Sequence, residues 1–352
     1  MLDDLKTISE IDKSDMLGVI QRFPEQIKTS YDIQNSLVIN SYIKIDNIII
    51  SGMGASSITG DIIQSLCIDK IDIPIFVNRQ YYLPKWANKN TLLITQSYSG
   101  NTQETLNSFK HGYQKRCKII GVSSGGKLEE LCLKSEIPFI KIPQGFPPRT
   151  ATGYMLFSSL FVLKKLGILK NDIDLEIQET IYTVNELINN IKKDVPEKEN
   201  ISKQLAKQIL NKIPQVYGFE FYTPIAKRWC TQFNENSKII CRYDEVPECN
   251  HNDIVGWSLN PEVSKKFICI LFRDSDNETI YITKRLNFMK KLFKDVSADV
   301  IEIQVIGKKQ LAKMMYAMLL GDFTSCYLAI LREIDPIPVD IITELKNELV
   351  NL

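Results

Sequence analysis

The sequence predicts an α/β fold: two doubly wound parallel-sheet domains with helical segments at both ends. Three observations lead there. Short β-branched runs alternate with helix-length amphipathic stretches every ~20–30 residues. Two of those runs end in glycine- or serine-rich turns that open a helix, as in Ile48-Ile49-Ile50-Ser51-Gly52 and Ile94-Thr95-Gln96-Ser97-Tyr98. After a polar stretch near residue 190 the alternation begins again, and 352 residues are enough for two cores.

Taken in order, residues 1–40 read as an N-terminal helix pair. Residues 46–51 form the first strand, followed by Gly52-Met53-Gly54-Ala55-Ser56-Ser57 and a helix to residue 69. Strands follow at 73–77 and 91–95, then a helix to 115, a strand at 118–122, a helix at 126–135 and a strand at 139–142. Pro143, Pro147 and Pro148 precede a long apolar helix at 151–166. The charge-rich residues 171–199 read as a helical linker, giving domains at 1–170 and 200–352. The second domain reads as helix 200–212, strand 215–219, helix 223–234, strands 238–241 and 267–272, helix 279–294 and strand 300–305. Helices at 309–332 and 337–350 close it.

The stretch Ser97-Tyr98-Ser99-Gly100-Asn101-Thr102 organises the chemistry. A strand, a hydroxyl-rich turn and a helix start together bind anions, because the first helical N–H groups lack partners and the helix dipole is positive there. The turn holds no Lys or Arg, so a phosphate monoester held by hydroxyls and dipoles is the expected guest. Taken alone, the stretch also reads as an ordinary helix cap on Thr102. The corresponding first turn of the second half, Gly218-Phe219-Glu220-Phe221-Tyr222, lacks hydroxyl-rich character, so phosphate is expected only in the first domain.

Several classes are excluded. A net charge of +1 gives no reason to expect nucleic acid or an anionic membrane surface. No apolar run approaches the length of a membrane span, and the acidic start is unlike a secretory signal. Eight cysteines without paired spacing point to a reduced, cytoplasmic protein. Gly121-Val122-Ser123-Ser124-Gly125-Gly126-Lys127-Leu128 has P-loop spacing, but Leu128 replaces the residue that would ligate magnesium. Gly52-x-Gly54-x-x-Ser57 has a dinucleotide-like spacing, but the next strand ends in Asn78-Arg79 without an acid for a ribose. Two histidines, His111 and His251, make no metal pattern, and no cofactor is expected. Only nine residues are Arg against 34 Lys, so each arginine merits individual inspection.

With these turns in view, the chain resembles the sugar isomerase (SIS) superfamily, and within it the archaeal-type bifunctional phosphoglucose/phosphomannose isomerases. The resemblance rests on Ser51-Gly52-Met53-Gly54-Ala55-Ser56, on Ser97 through Thr102, and on Pro147-Pro148-Arg149-Thr150-Ala151. It rests also on Asn234-Glu235-Asn236-Ser237-Lys238 with Asn250-His251-Asn252-Asp253, and on Gly321-Asp322 through Asp335-Pro336-Ile337-Pro338. It implies a phosphate anchor on Gly54, Ala55, Ser56, Ser97, Ser99 and Thr102, with Ala55 in place of the family's glycine. Glu235 falls on the proton-shuttling base, and Arg149 on the cation that stabilises the enediolate. His251 falls on the ring-opening residue, given across a homodimer interface, and Lys346 on its C-terminal assistant, with Lys308, Lys309 and Lys313 as competitors.

The implied activity is interconversion of glucose 6-phosphate, and mannose 6-phosphate, with fructose 6-phosphate through a cis-enediol. Ile337 stands where a Thr near C2 is expected, which leaves the mannose reaction the open part. By composition alone, Glu235 and Lys346 are ordinary solvated charges, His251 a loop residue, and Arg149 a brace at the domain junction. A silent sugar-phosphate sensor is the rival reading and would need neither Glu235 nor His251. An aminosugar-phosphate isomerase ranks lower, since no amidotransferase segment is seen in the sequence.

Overall fold

A computed structural model describes residues 1–36, 38–39, 44–170, 172–259 and 261–350. The expected helical stretch at 1–40 and terminal domain at 200–352 include a few residues outside that set, and the linker at 171–199 one. The chain folds as two compact units. One holds Arg22–Tyr182 with Gly307–Ala312, and the other Met1–Gln21, Thr183–Ile306 and Lys313–Leu352. This division departs from the linear one, because the first two of three N-terminal helices go with the second unit. Asp3 explains why: it accepts from the Glu197 amide at 2.7 Å and from the buried Lys203 ammonium at 3.1 Å. Lys203 also donates to the carbonyls of Lys193 and Val195. These are long-range partners that no local pattern announces.

In the first unit, β1 (Asn47–Ser51), β2 (Ile75–Asn78), β3 (Thr91–Gln96), β4 (Lys118–Ser123) and β5 (Phe139–Lys141) form one parallel sheet in the order β2-β1-β3-β4-β5. Ile48, Ile49 and Ile50 have no exposed surface, and every residue of β3 is buried. Strands covered on both faces read as continuous apolar runs, which is why β1 and β3 are legible. Ile49, Leu93 and Ile119 pack with Leu106, Phe109 and Leu128 from the helices Gln103–Gln114 and Gly126–Lys134. Ile50 points the other way, close to Gly60 of the helix Ala55–Leu66. The strand order reverses between β1 and β3, and ligands of such sheets bind beyond the carboxyl ends at that reversal. Both hydroxyl turns lie there.

The second unit repeats the arrangement with β6 (Ile213–Phe219), β7 (Arg242–Val246), β8 (Phe267–Arg273) and β9 (Asp299–Gln304), all parallel, in the order β7-β6-β8-β9. One expectation is corrected here: the strand placed at 238–241 lies at Arg242–Val246. The apolar pair Ile239-Ile240 belongs to a turn. Lys238 has a left-handed φ of 52°, and the Cys241 amide donates to Asn234 Oδ1 at 3.0 Å. The true strand is a polar edge strand, which carries little hydrophobic signal.

A second correction concerns the helix Gln310–Leu331, which at 22 residues is long and apolar enough to cross a membrane. It serves as the core helix of its unit, with 89% of its most apolar window buried. Its charges are satisfied internally: Asp322 pairs with Arg228, and Lys313 with Asp274 and Asp276.

The turn after β8 is the counterpart of the hydroxyl turn after β3, and its chemistry is opposite. Asp274, Asp276 and Glu278 replace hydroxyls, and the buried Lys313 ammonium lies 2.6 Å from Asp274. A turn with three carboxylates repels a phosphate. Burial opposes the charge on Asp274, but Lys313, Tyr222 and Asn277 outweigh it and hold its carboxyl below the usual range. Its stabilising effect is therefore complete above the unfolded value of about 3.9 and lost as pH falls through the lower folded value. Asp274→Asn should lower stability near neutral pH by about 3–5 kcal/mol, since Lys313 loses a buried partner. The difference in Tm from wild type should shrink as pH is lowered below about 4. A difference constant from neutral to strongly acid pH would assign the effect to packing instead.

Candidate functional site

The hydroxyl turn is built by two backbones in close approach. A Cβ on Gly100 would stand 1.7 Å from the Gly125 carbonyl oxygen, and one on Gly126 would stand 2.4 Å from the Ser99 carbonyl oxygen. Gly100 and Gly126 both have left-handed φ, at 67° and 74°. The turn is pinned to its neighbour by hydrogen bonds. Leu128 N–H donates to the Gly100 carbonyl at 2.9 Å, and Lys127 N–H to Asn101 Oδ1 at 3.1 Å. Ser124 donates to the Tyr98 carbonyl through both its amide and its hydroxyl. The P-loop-like glycines therefore form the seat of the hydroxyl turn.

Inside the turn, the Ser97 and Thr102 hydroxyls lie 2.8 Å apart, and Ser99 Oγ accepts from the Asn101 amide. Ser97 is buried, Thr102 half-buried and Ser99 exposed. Thr102 precedes the helix Gln103–Gln114, but its side chain makes no capping bond to a helical N–H. The ordinary-cap reading thus fails on geometry: the Thr102 hydroxyl faces Ser97, leaving the helix start to other partners. The second anchor, Gly54-Ala55-Ser56, opens the helix Ala55–Leu66, with Gly54 at a φ of 54° and no side-chain cap. Ser56 is buried, its hydroxyl 3.3 Å from Met155 Sδ. Arg149 sits in the 3-10 turn Pro148–Thr150, only 3% exposed, in the same unit as both hydroxyl turns.

The dinucleotide-like spacing after β1 is accounted for by packing too. Asn78 donates to Ser108 at 2.9 Å, and Arg79 pairs with Asp61 and donates to Ser57.

In the second unit, Glu235 is the last residue of the helix Thr223–Glu235 and is half-buried. That helix is fixed from behind. Arg228 makes a bidentate ion pair with Asp322 at 3.0 and 2.9 Å, both buried. Trp229 Nε1 donates to the Ala317 carbonyl, and a Cβ on Gly321 would stand 2.2 Å from that indole nitrogen. Just beyond Glu235, Asn236 donates to Ser325 Oγ and Ser237 to the Ser325 carbonyl. Lys238 donates to the carbonyls of Asp335 and Pro336, both at 3.0 Å. Ile337, whose amide donates to Asp335 Oδ1, is thereby brought to the turn that follows Glu235. Sequence reasoning noticed Gly321-Asp322 but gave it no role. Its signal was a glycine and an acid inside an otherwise apolar helix.

His251 ends the 3-10 turn Glu248–His251 and is exposed. Its polar neighbours shape the loop: Asn250 accepts from Arg285, Asn252 accepts from the Asp253 amide, and Asp253 receives Tyr217 and Trp257. Lys346 is an exposed residue of the helix Asp340–Val350. Among its competitors, Lys308 and Lys309 are exposed, and Lys313 is buried in its ion pairs. Burial works against the Lys313 charge, but Asp274 and Asp276 more than offset it and raise its pKa. Among the described residues, no group of three or more His, Cys, Asp or Glu side chains is placed to hold a metal ion.

A family model for the bacterial phospho-glucose isomerase C-terminal SIS domain matches residues 198–349. A bifunctional phosphoglucose/phosphomannose isomerase of Caldicellulosiruptor bescii is 37% identical over 339 residues, covering 96% of this chain and 99% of the relative. One of the same description from Aquifex aeolicus is 33% identical over 304 residues, 86% of this chain and 90% of the relative. Among solved structures, the C-terminal domain of glucosamine-fructose-6-phosphate aminotransferase from Francisella tularensis superposes with a TM-score of 0.73. It covers 92% of this chain and 98% of that one at 16% identity, a likeness of fold alone. Similarity of this degree along almost the whole length settles the relationship: the chain belongs to the family of bifunctional phosphoglucose/phosphomannose isomerases.

Proposed function

We propose that the protein interconverts glucose 6-phosphate and mannose 6-phosphate with fructose 6-phosphate through a cis-enediol. The observation that carries this is the match along nearly the whole chain to relatives named for both isomerase activities. The sensor reading gains nothing from those names.

Ser56, Ser97, Ser99 and Thr102 hold the phosphate, together with the backbone at Gly54 and Ala55 and the positive ends of two helices. Glu235 carries the proton between C1 and C2, a task suited to a half-buried carboxylate at a helix end. Arg149 stabilises the negative charge that grows on the enediolate oxygens, and such prearranged charge is commonly the largest catalytic contribution. His251 opens the sugar ring from across the interface of a homodimer, a role to which its exposure is suited. Lys346 assists the ring oxygen. The compartment is the cytoplasm, in keeping with eight free thiols, seven of them buried.

Accepting both C2 epimers requires room for rotation about C2–C3. Ile337 lies on the segment tied by Lys238 to the turn after Glu235, which supports a role for its bulk in restricting that rotation. Purified protein given fructose 6-phosphate with EDTA present should yield both glucose 6-phosphate and mannose 6-phosphate. Ile337→Thr should raise the mannose share several-fold; an unchanged product ratio would free Ile337 from any role in specificity.

Glu235→Gln should lower kcat by at least ~10³ while a phosphorylated sugar acid still binds as to wild type. Retained turnover removes Glu235 as the shuttle. His251→Ala should spare an open-chain substrate far more than the cyclic sugar, whereas equal losses on both would make His251 structural.

A further inference from the structure

Tyr98 sits in the middle of the hydroxyl turn, yet its side chain does not face the turn's open side. Its ring is buried, 8% exposed. Its backbone carbonyl accepts from both donors of Ser124, which holds the main chain of the residue. The phenol oxygen reaches the loop after β5. There it accepts from the Phe146 amide at 2.8 Å and lies 3.3 Å from the Pro143 carbonyl, to which it donates. Gln144 of the same loop donates to the Ser124 carbonyl at 2.8 Å, closing a second link between the same pieces.

Phe146 leads directly into Pro147-Pro148-Arg149. Little slack separates the phenol's anchor from Arg149. Prolines fix two successive φ angles, and the Thr150 amide and hydroxyl both bond back to the Pro147 carbonyl. Gln26 holds the Thr150 carbonyl at 2.7 Å, and Arg22 lies over the Phe146 ring. Between the phenol's two partners, Gly145 turns the chain with a left-handed φ of 89°. The phenol thus holds the loop on both sides of Gly145, and its bond to Phe146 lies on the side that leads to Arg149.

We propose that Tyr98 is a positioning residue for Arg149: its phenol ties the phosphate turn to the loop that carries the arginine, setting phosphate and guanidinium at a fixed spacing. The proposal rests on the isomerase reading, in which Arg149 meets the enediolate. A phosphate held by one loop and charge stabilised by another are useful only if the two loops share a frame. Burial raises the Tyr98 phenol above its usual pKa despite the Phe146 amide, so it stays protonated and can donate and accept together.

The test is Tyr98→Phe, which keeps the ring and removes only the oxygen. Turnover of fructose 6-phosphate should fall at least ~10-fold in kcat with KM within ~2-fold, the pattern of an interaction made only in the transition state. Binding of 6-phosphogluconate, followed by calorimetry, should stay within ~2-fold of wild type. In an Arg149→Ala background, the same substitution should change kcat by less than ~2-fold, because a residue acting through Arg149 has nothing left to position. An unchanged kcat in Tyr98→Phe overturns the proposal. So does a parallel loss of 6-phosphogluconate binding, which would make the phenol a support of the phosphate turn itself. So would a full additional loss on top of Arg149→Ala. If Tyr98→Phe is too unstable to assay, Gln144→Ala weakens the parallel link and must show the same split between kcat and binding. Wild-type protein that binds 6-phosphogluconate without turnover would end the isomerase reading and this proposal together, whereas active wild type with an active variant ends only this one.

Discussion

The contact between Gly100 and Gly125 is the constraint on which the first unit's chemistry depends. Backbone meets backbone there so closely that no side chain fits on residue 100. The close approach puts Leu128 N–H on the Gly100 carbonyl and Asn101 on the Lys127 amide, so two successive strand-to-helix turns behave as one body. Preorganisation follows. A turn already held by its neighbour need not order itself when an anion arrives, and less binding energy is lost to ordering. Ser124 serves the same end, since one side chain and one amide hold Tyr98 while its carbonyl holds Gln144.

The two halves share a strand order and differ in what the equivalent turns contain. After β3 the turn offers hydroxyls and helix-start amides, with Ser97 and Thr102 facing each other. After β8 it offers carboxylates, Asp274 and Asp276 sharing Lys313 and Glu278 paired with Arg273. Doubly wound sheets create the same crevice twice, but only side chains decide whether an anion is welcome. In the second unit that crevice has become structural, a buried ion pair with Tyr222 and Asn277 as further donors to Asp274. The acid singled out in that unit, Glu235, lies instead at the end of the helix after β6.

What could be read from the sequence was what is written locally. Buried strands such as β1 and β3 announce themselves through unbroken apolar runs, and hydroxyl-rich turns through composition. Edge strand β7 did not, because its residues Arg242–Val246 are polar and the apolar pair just before it belongs to a turn. The helix Gln310–Leu331 hid a different fact: apolarity on all sides marks a core helix as well as it marks a membrane span. The Asp3–Lys203 pair, which draws the N-terminal helices to the second unit, joins residues 200 positions apart. Tyr98 was quoted within a motif but given no task, since a tyrosine among serines carries no sign of which way its ring turns.

The same distinction explains why Arg228 escaped notice and Asp322 was given no role, although Glu235 was singled out. Glu235 stood out through the motif that carries the family resemblance, whereas the groups that hold its helix lie a turn or two behind it. Removing charges from water is expensive, and a buried pair of this kind adds little net stability over apolar residues of similar volume. Its value is geometric. Two parallel N–H···O bonds fix the rotation of one helix against the other, which apolar contacts alone leave free to slide. With Trp229 on the Ala317 carbonyl and Asn236 and Ser237 on Ser325, the helix is held along its length and at its final turn. Lys238 then links that turn to the carbonyls of Asp335 and Pro336, the residues that precede Ile337. The apolar core helix of the second unit is in this sense the template for the Glu235 turn, and its few polar residues mark where the template is read.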